Sequence, residues 1–318
     1  MAVPHTHVLI IGGGIAGPAL ALALHRYGIS CAIYEAYPFS DNIGGGFNIA
    51  PNGVNVLKQL GVADELIGKC AHADIAIFRD EAGSLLGSFP FGDEAKFGAP
   101  ALSMSRALLY RTLGTALKER GIPIYYEKRL AIFEETDGGV EAKFEDGTSA
   151  KGSIIIGADG VRSVVRKQLL PNGPEPGFTG VIGVGGFVPR DAVPAIPDEQ
   201  WNGMTFSFGP QGFFGWGGAE TGQVMWWSNY LRDEPFTREE LTNLNWDVIK
   251  ADLQANFSTW PSPIPESFAN TTNLLRHNIF DIESLPYWSR GRALLIGDAA
   301  HAVTPNSGQG ASLALEDA

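Results

Sequence analysis

Short unbroken apolar runs alternate with amphipathic stretches over the first third of the chain. HVLII (residues 7–11) leads into a glycine-rich turn, IAGPALALALHRYG (15–28) has the composition of a helix closing at Gly28, and SCAIYEA (30–36) is a second apolar run ending on Glu35. Strand, tight turn, helix, strand in that order predicts a βαβ unit of a parallel sheet, whose strands are buried on both faces and so read as continuous hydrophobics. GVNVLKQLG (53–61) and RALLYRTLGTALKERG (106–121) place apolar residues at helical spacing, the second with Gly121 where a C-cap falls. IPIYYEKRLAIFEET (122–136), GVEAKFEDGTS (139–149) and KGSIIIGAD (151–159) read as strands joined by DGG and EDG turns.

Beyond the Pro/Gly-rich joint PNGPEPGF (171–178) the texture changes. From Phe178 to about Tyr230 the chain is rich in glycine and aromatics with a period of two, as at Met204, Phe206 and Phe208, which predicts a second, mostly antiparallel sheet. TREELTNLNWDVIKADLQANF (237–257) is expected as a helix, with Thr237 and Glu240 forming a capping box. GRALLIGDAA (291–300) then returns to the first texture. The fold class expected is therefore α/β: a Rossmann-like nucleotide domain (1–72, 100–177 and 276–318) interrupted by an inserted, mostly antiparallel β-sheet domain (73–99 and 178–275). The only internal similarity is between two strand ends, SIIIGADGVRS (153–163) and RALLIGDAAHAV (292–303).

Composition narrows the chemistry. A length of 318 residues with 44% hydrophobic and 18% charged positions suits a globular chain with a sizeable core. A net charge of −12 disfavours nucleic acid, whose phosphates require a basic face. Cys31 and Cys70 lack metal-ligand spacing and suggest no disulfide framework, which fits a reducing compartment. The N-terminus lacks a signal-peptide pattern and IAGPALALALHRYG is too short to span a bilayer, so a cytoplasmic location without an integral membrane segment is expected.

Gly12, Gly14 and Gly17 form G-x-G-x-x-G between the first strand and the first helix. The first glycine allows the tight turn, the second lets backbone approach a pyrophosphate, and the third lets helix and strand pack closely, with the helix N-terminus aimed at the anion. Glu35 stands at the end of the next strand, where a carboxylate can accept from a ribose diol. This unit suits NAD and FAD equally.

Two further motifs discriminate. Gly157, Ala158, Asp159, Gly160, Val161, Arg162 and Ser163 resemble the "DG" motif of flavin-dependent aromatic hydroxylases, and Gly297–Asp298 followed by Pro305, Gly308, Gln309 and Gly310 resembles their "GD" motif. Three motifs in this order resemble the class A FAD-dependent monooxygenases of the p-hydroxybenzoate hydroxylase type, closely in the first domain and only in general layout in the second. The resemblance implies a GR2-type FAD-binding domain around a substrate domain, with Glu35 on the adenosine ribose and Asp298 on a flavin-side hydroxyl or the pyrophosphate region. It places Arg106 against the cofactor, the backbone of Leu130 at the adenine, and Gly45 and Gly46 in a loop near the flavin ring. Asp159 and Arg162 are implied to shape the FAD site and to help admit the nicotinamide nucleotide.

The loop TPNSGQG (304–310) opens a helix near Ala311, so its amides and the positive helix end can face an anion such as reduced flavin, with Gly308 and Gly310 allowing close approach. The resemblance implies that NADPH or NADH reduces FAD, that O2 then gives a flavin C4a-hydroperoxide, and that an electron-rich aromatic or polycyclic small molecule is hydroxylated. The cofactor carries the hard chemistry, so few obligate catalytic side chains are expected and none is assigned. His301 sits in GDAAHA where the family has a packing and positioning residue, and His5 and His7 complete no metal site. Most of Phe187, Phe206, Phe208, Phe213, Phe214, Trp216, Trp226, Trp227 and Tyr230 are expected in the sheet core, with two or three reaching a substrate cavity.

FGWGGAE (214–220) does not match the Trp-x-Trp-x-Ile-Pro signature of flavin halogenases, and no nucleophile elbow is present. A flavin reductase or oxidase stays open beside the hydroxylase. So does a flavin-binding protein without turnover, because the chain stops at GASLALEDA whereas family members continue with further helices.

Overall fold

A computed structural model describes residues 5–40, 44–194, 196–271 and 273–318; residues 1–4 of the N-terminal segment lie outside these. An eight-stranded sheet carries the nucleotide-type half. Its main path runs Ser289–Arg290, Ala293–Leu295, Ser149–Gly157, His5–Ile11, Cys31–Tyr34, Ile124–Tyr125. Five of these strands run parallel, with Ile11 opposite both Gly157 and Tyr34, Gly157 opposite Leu295, and Tyr34 opposite Tyr125. Their C-terminal ends therefore lie side by side on one edge.

The continuous apolar runs are buried on both faces, as parallel strands require. Val8 and Ile10 pack with Leu22, Leu109 and Leu113 of the helices Ala16–Arg26 and Arg106–Glu119. Leu9 and Ile11 pack on the other face with Ile155, Val165 and Leu169. A three-stranded sheet of Gly46–Ile49, Leu102–Ser105 and Ala71–His72 bridges toward the second half of the molecule.

That half is a seven-stranded sheet ordered Asn273–Asp281, Gly177–Pro189, Gln223–Leu231, Gly212–Gly218, Gly203–Gly209, Ile75–Asp80, Leu85–Pro90. Period-two alternation divides its side chains. Val184, Val188, Phe214, Trp216, Trp226 and Leu274 form a core with Leu253, Phe257 and Phe268 of the covering helices. Gly183, Gly185, Phe187, Gly215, Met225, Trp227, Leu275 and His277 alternate with these and occupy the opposite face.

The second sheet is mostly antiparallel, as expected, with one parallel pair, Gly203–Gly209 beside Ile75–Asp80. The strand Asn273–Asp281 runs across residues 275 and 276 and pairs through Asp281 with the second sheet. One expectation changes. The stretch 237–257 is two helices, Arg238–Thr242 and Trp246–Asn256, because Asn245 turns extended and accepts from Val248 N to start the second; the Thr237/Glu240 capping box begins the first.

Candidate cofactor and substrate site

The parallel strand ends bring the separated motifs together. Ala158 N donates to Ile11 O at 2.7 Å and Ile296 N to Gly157 O at 3.0 Å, so the first glycine turn, the DG segment and the GD segment stand in a row. Gly12, at φ +114°, is pressed against Ala158: a Cβ there would lie 2.2 Å from the Ala158 carbonyl oxygen. A Cβ at Gly17 would lie 2.0 Å from the Gly12 oxygen, whereas one at Gly14 meets nothing within 4 Å. Gly12 and Gly17 are thus required by packing, and the exposed Gly14 turn opens onto free space at a helix N-terminus.

Glu35 is fixed at the end of its strand by Gly13 N on Oε2 (2.6 Å) and Tyr37 N on Oε1 (2.9 Å). The segment before Leu130 runs alongside, with Lys128 N on Glu35 O at 2.8 Å and the Arg129 guanidinium 4.8 Å from the Tyr37 ring centroid. The Leu130 side chain is buried in the core, which leaves only its main chain for a ligand. Asp159 faces inward and accepts from Ser163 Oγ, Val164 N and Val165 N, so it holds the DG turn onto the helix Val164–Leu169.

Arg106, at the head of its helix, is anchored through main-chain amides: its own N–H donates to the Gly45 carbonyl at 2.8 Å, and the preceding Ser105 N donates to the Glu220 carboxylate Oε2 at 2.8 Å. Its charge acts on two groups from opposite halves of the fold. Burial pushes the Asp298 carboxyl up and Arg106 pulls it back; burial and Arg106 together push the His277 imidazole down. Asp298 and His277 are nevertheless open to solvent at their surfaces. Side chains that water reaches while protein crowds them on other sides line a cleft.

His277, which sequence reading did not single out, arises from strand alternation in RHNIF, and only the register reveals its facing. Its ring lies on Gly183, where a Cβ would come within 2.6 Å of it. The Gly45–Gly46 loop closes the same cleft: a Cβ on Gly46 would meet Met225 Sδ at 2.2 Å and Phe187 Cζ at 2.8 Å. Of the aromatics, Phe214, Trp216 and Trp226 are core, while Phe187, Phe206, Phe208, Phe213 and Trp227 occupy the opposite face and Tyr230 is exposed. Pro305 and Gly308 lie in an exposed loop, and the final helix starts at Gly310, with Ala311 in its first turn.

The residues present fit a flavin dinucleotide. The Glu35 carboxylate, the open glycine turn, the DG segment and the Asp298 carboxylate follow the ends of adjacent parallel strands, the Arg106 charge acts on Asp298 from the helix after the three-stranded sheet, and a Cβ at Gly308 or Gly310 would meet nothing within 4 Å.

Comparison with known proteins agrees. The family model described as FAD binding domain matches residues 5–318. The 6-hydroxynicotinate 3-monooxygenase of Bordetella bronchiseptica is 31% identical over 98% of this chain and 80% of its own length. The 3-amino-4-hydroxybenzoate 2-monooxygenase of Streptomyces cremeus is also 31% identical, over 98% of this chain and 76% of its own. Among solved structures, Klebsiella pneumoniae HpxO complexed with FAD and uric acid superposes with a TM-score of 0.84 at 28% identity, over 98% of this chain and 77% of that one. With the motif row, the Arg106 cleft and these relatives taken together, the chain belongs to the FAD-binding-domain family and is a FAD-dependent aromatic monooxygenase of the class A type.

Proposed function

We propose that this chain hydroxylates a small, electron-rich heteroaromatic or phenolic compound in the cleft between its two sheets. The observation that carries the reading is that the Gly45–Gly46 loop, which accepts from Arg106 N, packs on Met225 and Phe187 of the second sheet, while the Arg106 charge acts on both Asp298 and His277. When bound, FAD supplies electron transfer from NADPH or NADH and the activation of O2. Glu35 would bind its adenosine ribose, with the Leu130 backbone alongside. Gly12, Gly14 and Gly17 would admit the pyrophosphate with Asp159 bracing the neighbouring turn, and Asp298 would hold the flavin side. Arg106, Gly45 and Gly46 would flank the flavin ring, with Pro305, Gly308, Gly310 and Ala311 giving the loop and amides opposite.

The chain's remaining work is to orient the substrate and keep water out. Phe187, Met225 and Trp227 offer an apolar wall on the second sheet. His277, held toward its neutral form, can accept a hydrogen bond or a proton from a ring hydroxyl, which makes the ring more electron-rich. The named relatives act on 6-hydroxynicotinate and 3-amino-4-hydroxybenzoate, and HpxO was solved with uric acid. These three, with 4-hydroxybenzoate, form the first substrate panel. The test is a visible spectrum of purified protein, substrate-stimulated NAD(P)H consumption, and incorporation of labelled O2. A flavin spectrum with label in the product is expected. NAD(P)H oxidised only to H2O2 with every compound would favour an oxidase or reductase.

A further inference from the structure

Gly297 adopts φ +58°, ψ −146°, a conformation open essentially to glycine alone. Both of its peptide groups are pinned. Its carbonyl accepts from Ala300 N at 2.8 Å and His301 N at 3.0 Å, and its N–H donates to Asp317 Oδ2 at 2.7 Å. The same Oδ2 meets His301 Nε2, also at 2.7 Å. One carboxylate oxygen on the terminal segment therefore grips both the start and the end of the short helix Asp298–His301 that presents Asp298 to the cleft. The turn is squeezed further: a Cβ on Gly297 would lie 3.0 Å from Ala16 Cβ and 3.4 Å from Ala314 Cβ, so the first helix and the last pack on either side of it.

We propose that the Asp317 carboxylate, gripped by His301, is the latch that holds the Gly297–Asp298 turn in its cofactor-receiving form, which makes Asp317 and His301 positioning residues for FAD. The proposal rests on the FAD reading of the cleft. Nε2–H donates to Asp317 whether the ring is charged or neutral, but a charged donor binds a carboxylate about twice as strongly. Nδ1 is buried without a partner among the described residues, so Asp317 is the ring's one hydrogen-bond anchor.

The charges around the ring are Asp317 from the terminal segment and Asp298 at the start of its own helix. Arg166, from the packed helix Val164–Leu169, donates instead to Ala299 O at 3.1 Å, and Glu316 is engaged by Asn52 Nδ2 at 2.8 Å. The Trp288 ring packs beside that of His301, tilted by 41° with the ring centroids 5.2 Å apart. The hydrogen bond to Asp317, above all, raises the His301 pKa from its ordinary 6.5. The latch is thus at full strength below pH 6.5 and weakens as pH rises through that raised value. A dinucleotide adds negative charge beside the turn and favours the protonated ring, so by reciprocity FAD affinity falls over the same window.

The test measures the FAD dissociation constant of the full chain, stripped and reloaded, by flavin fluorescence from pH 6 to pH 9. Alongside it, NMR titrates the His301 ring proton, assigned by its loss in His301→Gln. For the wild type we expect about five-fold weaker binding at the alkaline end, at the modest end of typical couplings. Asp317→Asn should bind weakly at every pH and return the His301 titration toward 6.5. His301→Gln keeps a neutral donor, so it should give a flat profile at the wild type's alkaline affinity. His277 titrates below its ordinary range, outside the window.

A pH-independent wild-type constant, or a His301→Gln variant that keeps the wild-type slope, would overturn the latch. If Asp317→Asn fails to fold, His301→Gln and the NMR titration decide. Absence of FAD binding at every pH would sink the cofactor reading instead. The latch is then judged on the NMR alone: a wild-type His301 titrating at or below 6.5 overturns it and one titrating above supports it.

Discussion

The two glycines that flank the first turn and the one between them have different jobs, and substitution separates them. Gly17→Ala drives a Cβ into the Gly12 carbonyl at 2.0 Å, backbone against backbone with no side chain to yield. We expect a loss of about 3 kcal/mol or more of stability, read as a large drop in urea midpoint. Gly14→Ala adds a methyl into open space. Its urea midpoint should stay near wild type while FAD affinity falls, and a fall in both would show that Gly14 is a packing glycine. Asp298→Ala should leave the fold intact and give pale protein, with FAD affinity at least ten-fold weaker on loss of a charged hydrogen bond. The positions of Glu35 and the glycine turn were readable from the sequence because a βαβ nucleotide unit predicts those residue types at its strand ends. His277 and Asp317 were not, because a single histidine in a strand and an acidic residue at a helix end have many uses, and only their neighbours choose among them.

At the scale of elements, the second sheet depends on an aromatic seam between strands and helices. Phe214 stacks on Trp226 at 5.5 Å, Phe268 meets both edge-on at 5.3 and 5.0 Å, and the Trp226 Nε1–H donates to Thr271 Oγ1 at 2.7 Å. Phe268→Ala should cost about 3–5 kcal/mol, measured by chemical denaturation. Removing the cap with Asn245→Ala should cost only about 1 kcal/mol, since it frees one amide at the start of a largely exposed helix. Periodicity made the parallel runs, the helices and the alternating strands legible. It did not show the break at Asn243–Asn245, where local capping chemistry overrides a hydrophobic pattern that reads straight through. Nor could it separate core aromatics from cleft aromatics, since Phe213 and Phe214 are neighbours of one composition whose facing is set by cross-strand register.

Across the whole molecule, the cleft is built by segments from both sheets: Arg106 is braced by Gly45 and, through Ser105, by Glu220, and its charge acts on Asp298 from one half and His277 from the other. A ligand filling that space should stabilise both halves together. FAD at a hundred times its dissociation constant is expected to add about 2.7 kcal/mol and to raise the melting temperature by roughly 5 °C in a single transition. Two transitions, only one of which shifts, would contradict a shared site. No helix among the described residues is long and apolar enough to cross a membrane. By itself the sequence determined the order of strands and helices, the glycine turns, and the residue types that a flavin dinucleotide needs, because these follow from local periodicity and from chemistry at fixed spacing. Only the tertiary structure decided that strand ends far apart in the chain share one edge, that His277 lies on Gly183 on the sheet face opposite the core, and that Asp317 grips the Gly297 turn. Such long-range pairings are set by register and packing, to which no single stretch of sequence refers.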